Sequence, residues 1–266
     1  MPFGEYDIYN EKHLLEALTQ LILEHIDIQR WIFKIDDHFD GLGIAYCDIA
    51  LYLPSYPYIL KHIENKSLAK EFHMKILSEL PDVLDKYTIY VNTKQFTSWQ
   101  SYLKGFLKQG GIIEAYPPTD SVSTTTICLS IEPNGQYSLI CSGDQIHAET
   151  EFSCWGFVFP QSSIDPNQLN IYCSDIIEQC KQRNIYGHID IDFLVFTNTK
   201  TDKQTIWVSD LSIGYSEHVS HYRVMRYITT GQFNPQTHLF TIRSREMKQR
   251  LRNWQNGAPT YTVKSY

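Results

Sequence analysis

The sequence lacks the long apolar runs that membrane proteins need. None of its 266 residues lies in a stretch approaching the roughly 18 to 20 apolar residues of a membrane-spanning helix. The first ten residues contain no basic region followed by a long apolar one, so a secretory signal peptide is not predicted. We therefore expect a protein that does not span a membrane, and the cytoplasm is its expected compartment.

Cysteine is present without the spacing that would indicate a zinc site or a disulfide framework. The six cysteines are scattered, and no two of them form a C-x-x-C pair. In a chain of this length, that pattern is more typical of buried, reduced thiols. His218 and His221 are three residues apart, but no third ligand is apparent, so the sequence does not predict a zinc site.

The familiar phosphate-binding motifs are also absent. There is no G-x-x-x-x-G-K-[ST], no G-x-G-x-x-G, and no kinase H-R-D or D-F-G. Each of these motifs brings backbone N–H groups or a catalytic carboxylate to a nucleotide phosphate. A nucleotide site in this chain would therefore have to be of another kind.

Basic residues are fewer than acidic ones, and they are unevenly placed. The 23 Lys and Arg residues against 30 Asp and Glu residues give a net charge of −7, which argues against polyanion binding by the whole molecule. Residues 231–266, in contrast, are basic and include an Arg-rich segment, 243–254, that could form a terminal helix. This composition predicts that the tail binds RNA or an acidic surface of another protein. The alternative is that the basic residues lie on the solvated face of a helix.

Hydrophobic periodicity predicts a mixture of helices and short strands, which is an α+β protein. Helical spacing of apolar residues extends over 11–25, 57–85 in two pieces, 98–108 and 166–183. Strands are predicted at 31–35, 111–116, 124–131, 137–142, 186–196 and 205–211. A turn at 133–135 joins two of these strands, as expected for a meander.

Two of the predicted strands carry acidic residues in register. The strand period of two places Asp190 and Asp192 on one face, and it places Asp210 and Ser212 on one face of the next strand. A hairpin could therefore bring Asp192 and Asp210 together. Opposed carboxylates repel unless a cation lies between them, and hard oxygen ligands suit Mg²⁺ that holds nucleotide phosphates. The alternative is that these acids are solvated on an open sheet face.

A lysine and a small glycine loop form a second candidate group. Lys34 ends an apolar strand, and the loop that follows contains Gly41 and Gly43. This arrangement could present an ammonium group and backbone N–H groups to phosphate oxygens. Acidic residues in the same loop would repel phosphates unless they face away or contact a metal.

The order of these features resembles the ATP-grasp fold over about residues 12–230. More narrowly, four separated segments resemble the ATP-grasp region of the family of IQ motif-containing protein H and its relatives: 34–48, 110–118, 142–147 and 210–216. The resemblance implies two α+β subdomains, with mainly antiparallel sheets, that enclose a nucleotide cleft. It implies a small subdomain at 1–113, a larger subdomain at 114–230 and a basic C-terminal tail at 231–266.

The resemblance also implies roles for individual residues, with ATP and Mg²⁺ as the cofactors. Lys34 would match the strand lysine that contacts the nucleotide phosphates. The flexible loop that covers the phosphates would include Asp40, Gly41 and Gly43. The hinge segment whose backbone reads the adenine edge would be Glu114, Ala115 and Tyr116. The metal ligands would be Asp192, Asp210 and Ser212, whereas Asp144 and Gln145 have no assigned role.

Departures from the family pattern bear on catalysis. ATP-grasp ligases usually carry acid-x-Asn-x-Arg on the second metal strand, but here Ser212 replaces the Asn and Gly214 replaces the Arg. Losing that arginine removes stabilisation of the transferring phosphoryl group, so ATP binding could survive without catalysis. The usual N-terminal domain is not expected before Glu11, and no I-Q-x-x-x-R-G segment is present, so calmodulin is not an expected partner.

Two functional hypotheses therefore stand side by side. The first is a Mg·ATP-binding, ATP-grasp-like domain related to ligases that form an acyl phosphate and pass the acyl group to an amine or thiol. The second is a non-catalytic interaction scaffold in a protein of the cilium, the flagellum or sperm, which binds protein or RNA through its basic tail. The residues leave open whether the chain is an enzyme.

Overall fold

The computed structural model describes residues 1–36, 41–119, 121–147, 150–199 and 201–242. These residues form two compact units, and the chain passes from one to the other several times. The first unit comprises Met1–Val122, His147–Trp155 and Val195–Val208. The second comprises Ser123–Ile146, Gly156–Leu194 and the described residues from Ser209 onward. Within the described part of the chain, no helix is both long and apolar enough to cross a bilayer.

The first unit contains a five-stranded sheet with the strand order β1-β5-β2-β3-β4. Its strands are β1 (Gly4–Glu5), β2 (Arg30–Ile35), β3 (Ile44–Asp48), β4 (Ile89–Tyr90) and β5 (Gly111–Ala115). Its helices are α1 (Glu11–Glu24), α2 (Ile49–Tyr52), α3 (Tyr56–His62), a 3-10 turn (Lys66–Leu68), α4 (Ala69–Tyr87) and α5 (Trp99–Gln109). The predicted helices at 11–25, 57–85 and 98–108 are thereby confirmed.

Local sequence explains where two of these helices begin and end. At the start of α1, Asn10 Oδ1 accepts a hydrogen bond from the His13 backbone N–H at 2.8 Å. At the start of α5, Ser98 and Ser101 form a reciprocal capping box. The chain leaves α5 through Gly110, whose φ of 92° is a conformation that favours glycine.

The core of the first unit lies where α1, α4 and α5 cover one face of the sheet. The side chains of Trp31, Phe33 and Ile35 on β2 are buried there with residues of these helices. The hydroxyl of the buried Tyr102 is 2.9 Å from both the Phe33 and the Gly43 carbonyl oxygens, to which it donates. Tyr102 on α5 thus fixes the β2–β3 hairpin that carries Lys34 and the predicted glycine loop.

A second sheet, with the order β10-β9-β6-β7-β8, has most of its residues in the second unit. Its strands are β6 (Val122–Ile131), β7 (Tyr137–His147), β8 (Cys154–Val158), β9 (Gly187–Asn198) and β10 (Lys203–Ile213). The helices of the second unit are α6 (Pro166–Gln182) and α7 (Glu217–Thr229). Asp165 caps α6 by accepting hydrogen bonds from the backbone N–H groups of Asn167 and Gln168, and the helix predicted at 166–183 is confirmed. Helix α7 and the strand β8 are additions to the predicted elements.

The predicted C-terminal tail begins with regular structure. A two-stranded antiparallel sheet is formed by β11 (Gln232–Asn234) and β12 (Leu239–Thr241). The predicted helix at 243–254 and the rest of the basic tail lie outside the described residues. All six cysteines are free, and five of them are buried, as their scattered spacing predicts.

Candidate functional site

The predicted site residues fall into two sets, one in each unit. The set in the second unit lies on β9 and β10. Strand β9 alternates as predicted, because Ile189, Ile191 and Phe193 are fully buried on one face. The other face carries Asp190 and Asp192.

Asp192 is held by a short hydrogen-bonded relay from two neighbouring strands. Thr126 on β6 donates its hydroxyl hydrogen to Asp192 Oδ1 at 2.6 Å. Gln145 on β7 donates from Nε2 to Thr126 Oγ1 at 2.8 Å. Gln145, for which the sequence offers no role, therefore orients the threonine that orients the carboxylate.

The β9–β10 hairpin brings the two predicted metal-binding acids to corresponding positions. The Gly214 backbone N–H donates to the His188 carbonyl oxygen at 2.9 Å, which pairs these two residues across the ladder. A ladder that continues regularly from this pair places Asp192, four residues after His188, opposite Asp210, four residues before Gly214. The Asp210 side chain is exposed, and its Oδ1 accepts a hydrogen bond from the Leu211 N–H.

The electrostatics of this carboxylate pair are unfavourable without a cation. Burial raises the pKa of Asp192 to about 7, and the charges of Asp210 and Asp190 add to the shift. The hydrogen bonds from Thr126 and Gln145 oppose it. A divalent cation beside the pair would offset the repulsion, so the donor set fits the predicted role.

The oxygen ligands at this position suit a hard cation whose remaining ligands come from phosphate or water. Asp192 and Asp210 supply carboxylate oxygens, and Ser212 supplies a hydroxyl on the same face of β10. Across the described residues, no group of three His, Cys, Asp or Glu side chains is arranged to hold a metal ion. The protein would therefore provide two carboxylates, and phosphate oxygens or water would complete the coordination of Mg²⁺.

Asp190 differs from its neighbour because α7 covers it. Its residue exposure is 7%, and its Oδ2 lies 3.9 Å from Nδ1 of the buried His218. Burial lowers the pKa of His218 to about 3, so this imidazole is neutral at pH 7. Its ring stacks on Phe159. The alternative of solvated acids on an open face is therefore wrong for Asp190.

Asp144, the other polar residue left without a role, links two segments of the second unit. One of its oxygens accepts a hydrogen bond from the Thr125 hydroxyl at 2.6 Å. The other accepts from the Ser162 backbone N–H at 2.7 Å. These contacts fix the chain after β8, so the role of Asp144 is to position backbone.

In the first unit, Lys34 is already paired with a carboxylate. Its Nζ lies 2.6 Å from Oε2 of Glu114, and the two side chains are 22% and 14% exposed. The two residues are brought close because β2 and β5 are antiparallel neighbours in which Ile32 pairs with Glu114. The ammonium group is therefore partly neutralised within the protein.

The glycine loop is the β2–β3 hairpin. The Gly41 carbonyl oxygen accepts from the Ile44 N–H at 3.1 Å, and the Gly43 carbonyl oxygen accepts from the Ile35 N–H at 3.1 Å. Gly41 has a φ of 71°, and a Cβ atom there would lie 2.6 Å from the Phe152 carbonyl oxygen. Both reasons require glycine at position 41. Asp40, the remaining predicted loop residue, lies outside the described residues.

The predicted adenine-reading segment has few available N–H groups. The Ala115 N–H donates to the Phe3 carbonyl oxygen at 2.8 Å, and the Tyr116 N–H donates to the Arg30 carbonyl oxygen at 3.0 Å. The next two residues are prolines, which have no N–H group. A base could be read here through carbonyl oxygens, which accept more than one hydrogen bond, or after one of these bonds opens.

Arg30 organises the surroundings of Tyr116, and sequence reasoning missed it. Its guanidinium forms a two-point pair with Asp48, at 2.6 and 3.2 Å, and a further ion pair with Glu151. It also lies over the rings of Tyr46 and Tyr116, at 4.3 and 5.4 Å from their centroids. Burial, together with the charge of Glu151, raises the pKa of Tyr116 to about 12. The Arg30–Asp48 pair could have been predicted from the sequence, because the two residues lie opposite each other in a hairpin. Glu151 could not, because it lies 121 residues from Arg30 along the chain.

Comparison with known proteins places this architecture in a family. The family model described as IQCH-like, ATP-grasp matches residues 1–236. The chain belongs to the IQCH-like ATP-grasp family. It is 35% identical over 245 residues to IQ motif-containing protein H of Danio rerio, a match that covers 89% of this chain and 23% of that protein. The IQCH-like chain thus spans less than a quarter of that relative's length.

One solved structure supports the fold of this IQCH-like domain. The biotin carboxylase domain of Hydrogenobacter thermophilus 2-oxoglutarate carboxylase aligns with a TM-score of 0.52 at 12% identity, covering 99% of this chain and 44% of that one. Biotin carboxylase of Campylobacter jejuni aligns with a TM-score of 0.48 at 11% identity, covering 93% and 45%. The predicted ATP-grasp fold, α+β with mainly antiparallel sheets, is confirmed.

Proposed function

We propose that this IQCH-like ATP-grasp domain binds ATP together with Mg²⁺. The observation that carries the proposal is the carboxylate pair of Asp192 and Asp210, because its electrostatic repulsion would be relieved by a divalent cation. In this proposal, those two acids and Ser212 bind the metal. The fold relative from H. thermophilus was crystallised with magnesium-ADP, which supports the same ligand class here.

The phosphates and the base are assigned to residues of the first unit. Lys34 contacts the phosphates, with the loop that includes Asp40, Gly41 and Gly43. The segment from Glu114 to Tyr116 contacts the base. Mg²⁺ would neutralise phosphate charge when bound, and Lys34 would add a charge-assisted hydrogen bond.

We further propose that the domain binds nucleotide without ligase turnover. Gly214, where ATP-grasp ligases carry arginine, has a φ of 138°, a conformation that favours glycine. A Cβ placed there would meet nothing within 4 Å, so space for a side chain exists but the backbone is adapted to its absence. Without a guanidinium at this position, developing charge on a transferring phosphoryl group loses one source of stabilisation.

The second candidate function is a scaffold in which nucleotide is structural or absent. It is favoured by the 2.6 Å pairing of Lys34 with Glu114 and by the bonded N–H groups of Ala115 and Tyr116. In this proposal, the domain presents a surface to a protein or RNA through its basic tail, residues 231–266, in the cytoplasm or in a cilium or flagellum. If RNA binding persists after the basic residues of 243–252 are replaced by neutral ones, the tail is not the RNA site.

A lysine substitution separates the two proposals. Lys34→Gln should weaken Mg·ATP binding at least tenfold by calorimetry, because a charge-assisted hydrogen bond contributes about 1.5 to 3 kcal/mol. Lys12→Gln is the matched control, since Lys12 is 83% exposed on α1 and should leave affinity unchanged.

The partner of Lys34 must be controlled as well. Lys34→Gln removes the cation that pairs with the carboxylate of Glu114, whose side chain is 14% exposed. The Lys34→Gln/Glu114→Gln double variant removes both charges and so avoids leaving this carboxylate without its cation. Weak binding in both variants supports a direct phosphate contact. Affinity equal to wild type in either folded variant would contradict the assignment of Lys34 and favour the scaffold.

A further inference from the structure

The second unit contains a cationic cavity that the nucleotide proposal does not use. Its volume is about 680 Å³, within the range of roughly 300 to 1,000 Å³ that small-molecule sites occupy. The lining comes from the end of β6, the starts of β7 and β9, and α7. Two of the lining residues are Arg223 and Arg226, and the lining includes a single carboxylate, Glu132. We propose that this cavity binds a small molecule that carries a phosphate monoester, with the two arginines against the phosphate.

The two arginines are placed to act together. They lie three residues apart on α7, so both project from one face of the helix. Both are exposed, and neither forms an ion pair with a carboxylate of the described residues. Arg223 lies over the ring of Tyr215, 5.0 Å from its centroid, which limits its conformations. Two guanidinium groups match the charge and the planar hydrogen-bonding geometry of a phosphate dianion.

The floor of the cavity supplies further polar groups. Ser130 and Ser138 line it from directly opposite positions in the β6–β7 ladder. His188 also lines it, and its Nδ1 is buried without a hydrogen-bond partner among the described residues. Because this nitrogen has almost no accessible surface, a ligand atom would reach it only after the His188 ring turns toward the cavity.

The carboxylate of Glu132 narrows the ligand class. A phosphate would avoid Glu132, whose Oε1 accepts a hydrogen bond from the Ser130 hydroxyl at 3.4 Å. The phosphate therefore belongs at the arginine side of the cavity. An amine or hydroxyl elsewhere in the same molecule would hydrogen-bond to Glu132. An aminoalkyl phosphate has both groups.

The cavity is separate from the proposed metal site. His188 precedes Asp192 by four residues on β9, which corresponds to about 13 Å along a strand. None of the proposed metal ligands, Asp192, Asp210 and Ser212, lines the cavity, so Mg²⁺ bound there would not contact a phosphate held by Arg223 and Arg226. Binding at the two sites can therefore be tested independently.

The test is calorimetric titration of the full chain with inorganic phosphate and with O-phosphoethanolamine, at fixed ionic strength and without Mg²⁺. We expect saturable binding, with the phosphoamine tighter than phosphate. Arg223→Gln/Arg226→Gln should weaken both at least tenfold. The matched double variant Arg183→Gln/Lys203→Gln removes the same charge from exposed positions and should change affinity less than twofold.

Two results would overturn the inference. One is the absence of saturable binding of either probe up to 20 mM, on the order of the weakest specific affinities for such small ligands. The other is equal weakening in both double variants, which would indicate long-range attraction by net charge alone. Lys34→Gln should leave phosphoamine binding unchanged, so failure of the nucleotide proposal would not be mistaken for failure of this one.

Discussion

Asp192→Asn is expected to abolish Mg²⁺-dependent ATP binding and, at the same time, to stabilise the metal-free protein at neutral pH. Burial and two neighbouring carboxylates raise the pKa of Asp192 from 3.8 to about 7, so folding disfavours its charged form. The stability of the wild type should therefore fall as the pH rises from about 4 through 7. Asparagine keeps the acceptor for the Thr126 hydroxyl and removes the charge.

The expected gain in the free energy of unfolding is on the order of 1 to 3 kcal/mol at pH 8, and it should vanish below about pH 4. Denaturant unfolding followed by circular dichroism across this pH range measures it. Tryptophan fluorescence is unsuitable, because the four described tryptophans, at positions 31, 99, 155 and 207, all lie in the first unit. Added Mg²⁺ should stabilise the wild type at pH 8 and leave the variant unchanged.

Asp175→Asn is the control, since Asp175 is an exposed residue of α6 in the same unit. It should alter neither the pH profile nor ATP binding. If Asp192→Asn shows the pH dependence of the wild type, the electrostatic account of this carboxylate is wrong. If it retains Mg²⁺-dependent binding, Asp192 is not a metal ligand.

Arg30→Met should destabilise the first unit, because Arg30 joins Asp48, Glu151 and two tyrosine rings beside the predicted adenine-reading segment. The substitution leaves Asp48 and Glu151 without their shared cation, and it removes the guanidinium that lies over the rings of Tyr46 and Tyr116. Breaking a half-buried ion pair of this geometry costs about 2 to 3 kcal/mol. Arg30→Lys should recover only part of it, because an ammonium group does not reproduce the two-point contact with Asp48.

Tryptophan fluorescence during urea unfolding measures this effect directly, since the described tryptophans report on the first unit. Lys12→Met is the control: Lys12 lies in the first unit and is 83% exposed on α1, so the cost there should stay below about 0.5 kcal/mol. Equal midpoints for Arg30→Met and Lys12→Met would show that the cluster around Arg30 contributes nothing measurable to folding.

Local sequence patterns were sufficient where an element is fixed by its own residues. The stripe of α1, the Ser98 cap of α5 and the Asp165–Pro166 start of α6 are all local, and these three predicted helices are present. That β9 and β10, which carry Asp192 and Asp210, lie side by side was also predictable, because alternating residues around a short polar connection are a local signal.

Contacts between distant segments could not be predicted in this way. Thr126 is 66 residues from Asp192, and no local signal couples a threonine to a carboxylate at that distance. Helix α7 was missed because its buried residues include His218 and Thr229, which weaken the apolar stripe. That omission explains the error at Asp190, since α7 covers the face that the strand pattern alone leaves open.

The central claim is that Asp192 and Asp210 bind Mg²⁺ together with ATP, and calorimetric titration of ATP with and without Mg²⁺ tests it most directly. The wild type should show saturable binding that requires Mg²⁺. Asp210→Asn removes one of the two carboxylates at an exposed position and should weaken that binding at least tenfold. No binding at millimolar ATP in a folded sample, or binding that ignores both Mg²⁺ and the substitution, would contradict the claim and favour the scaffold.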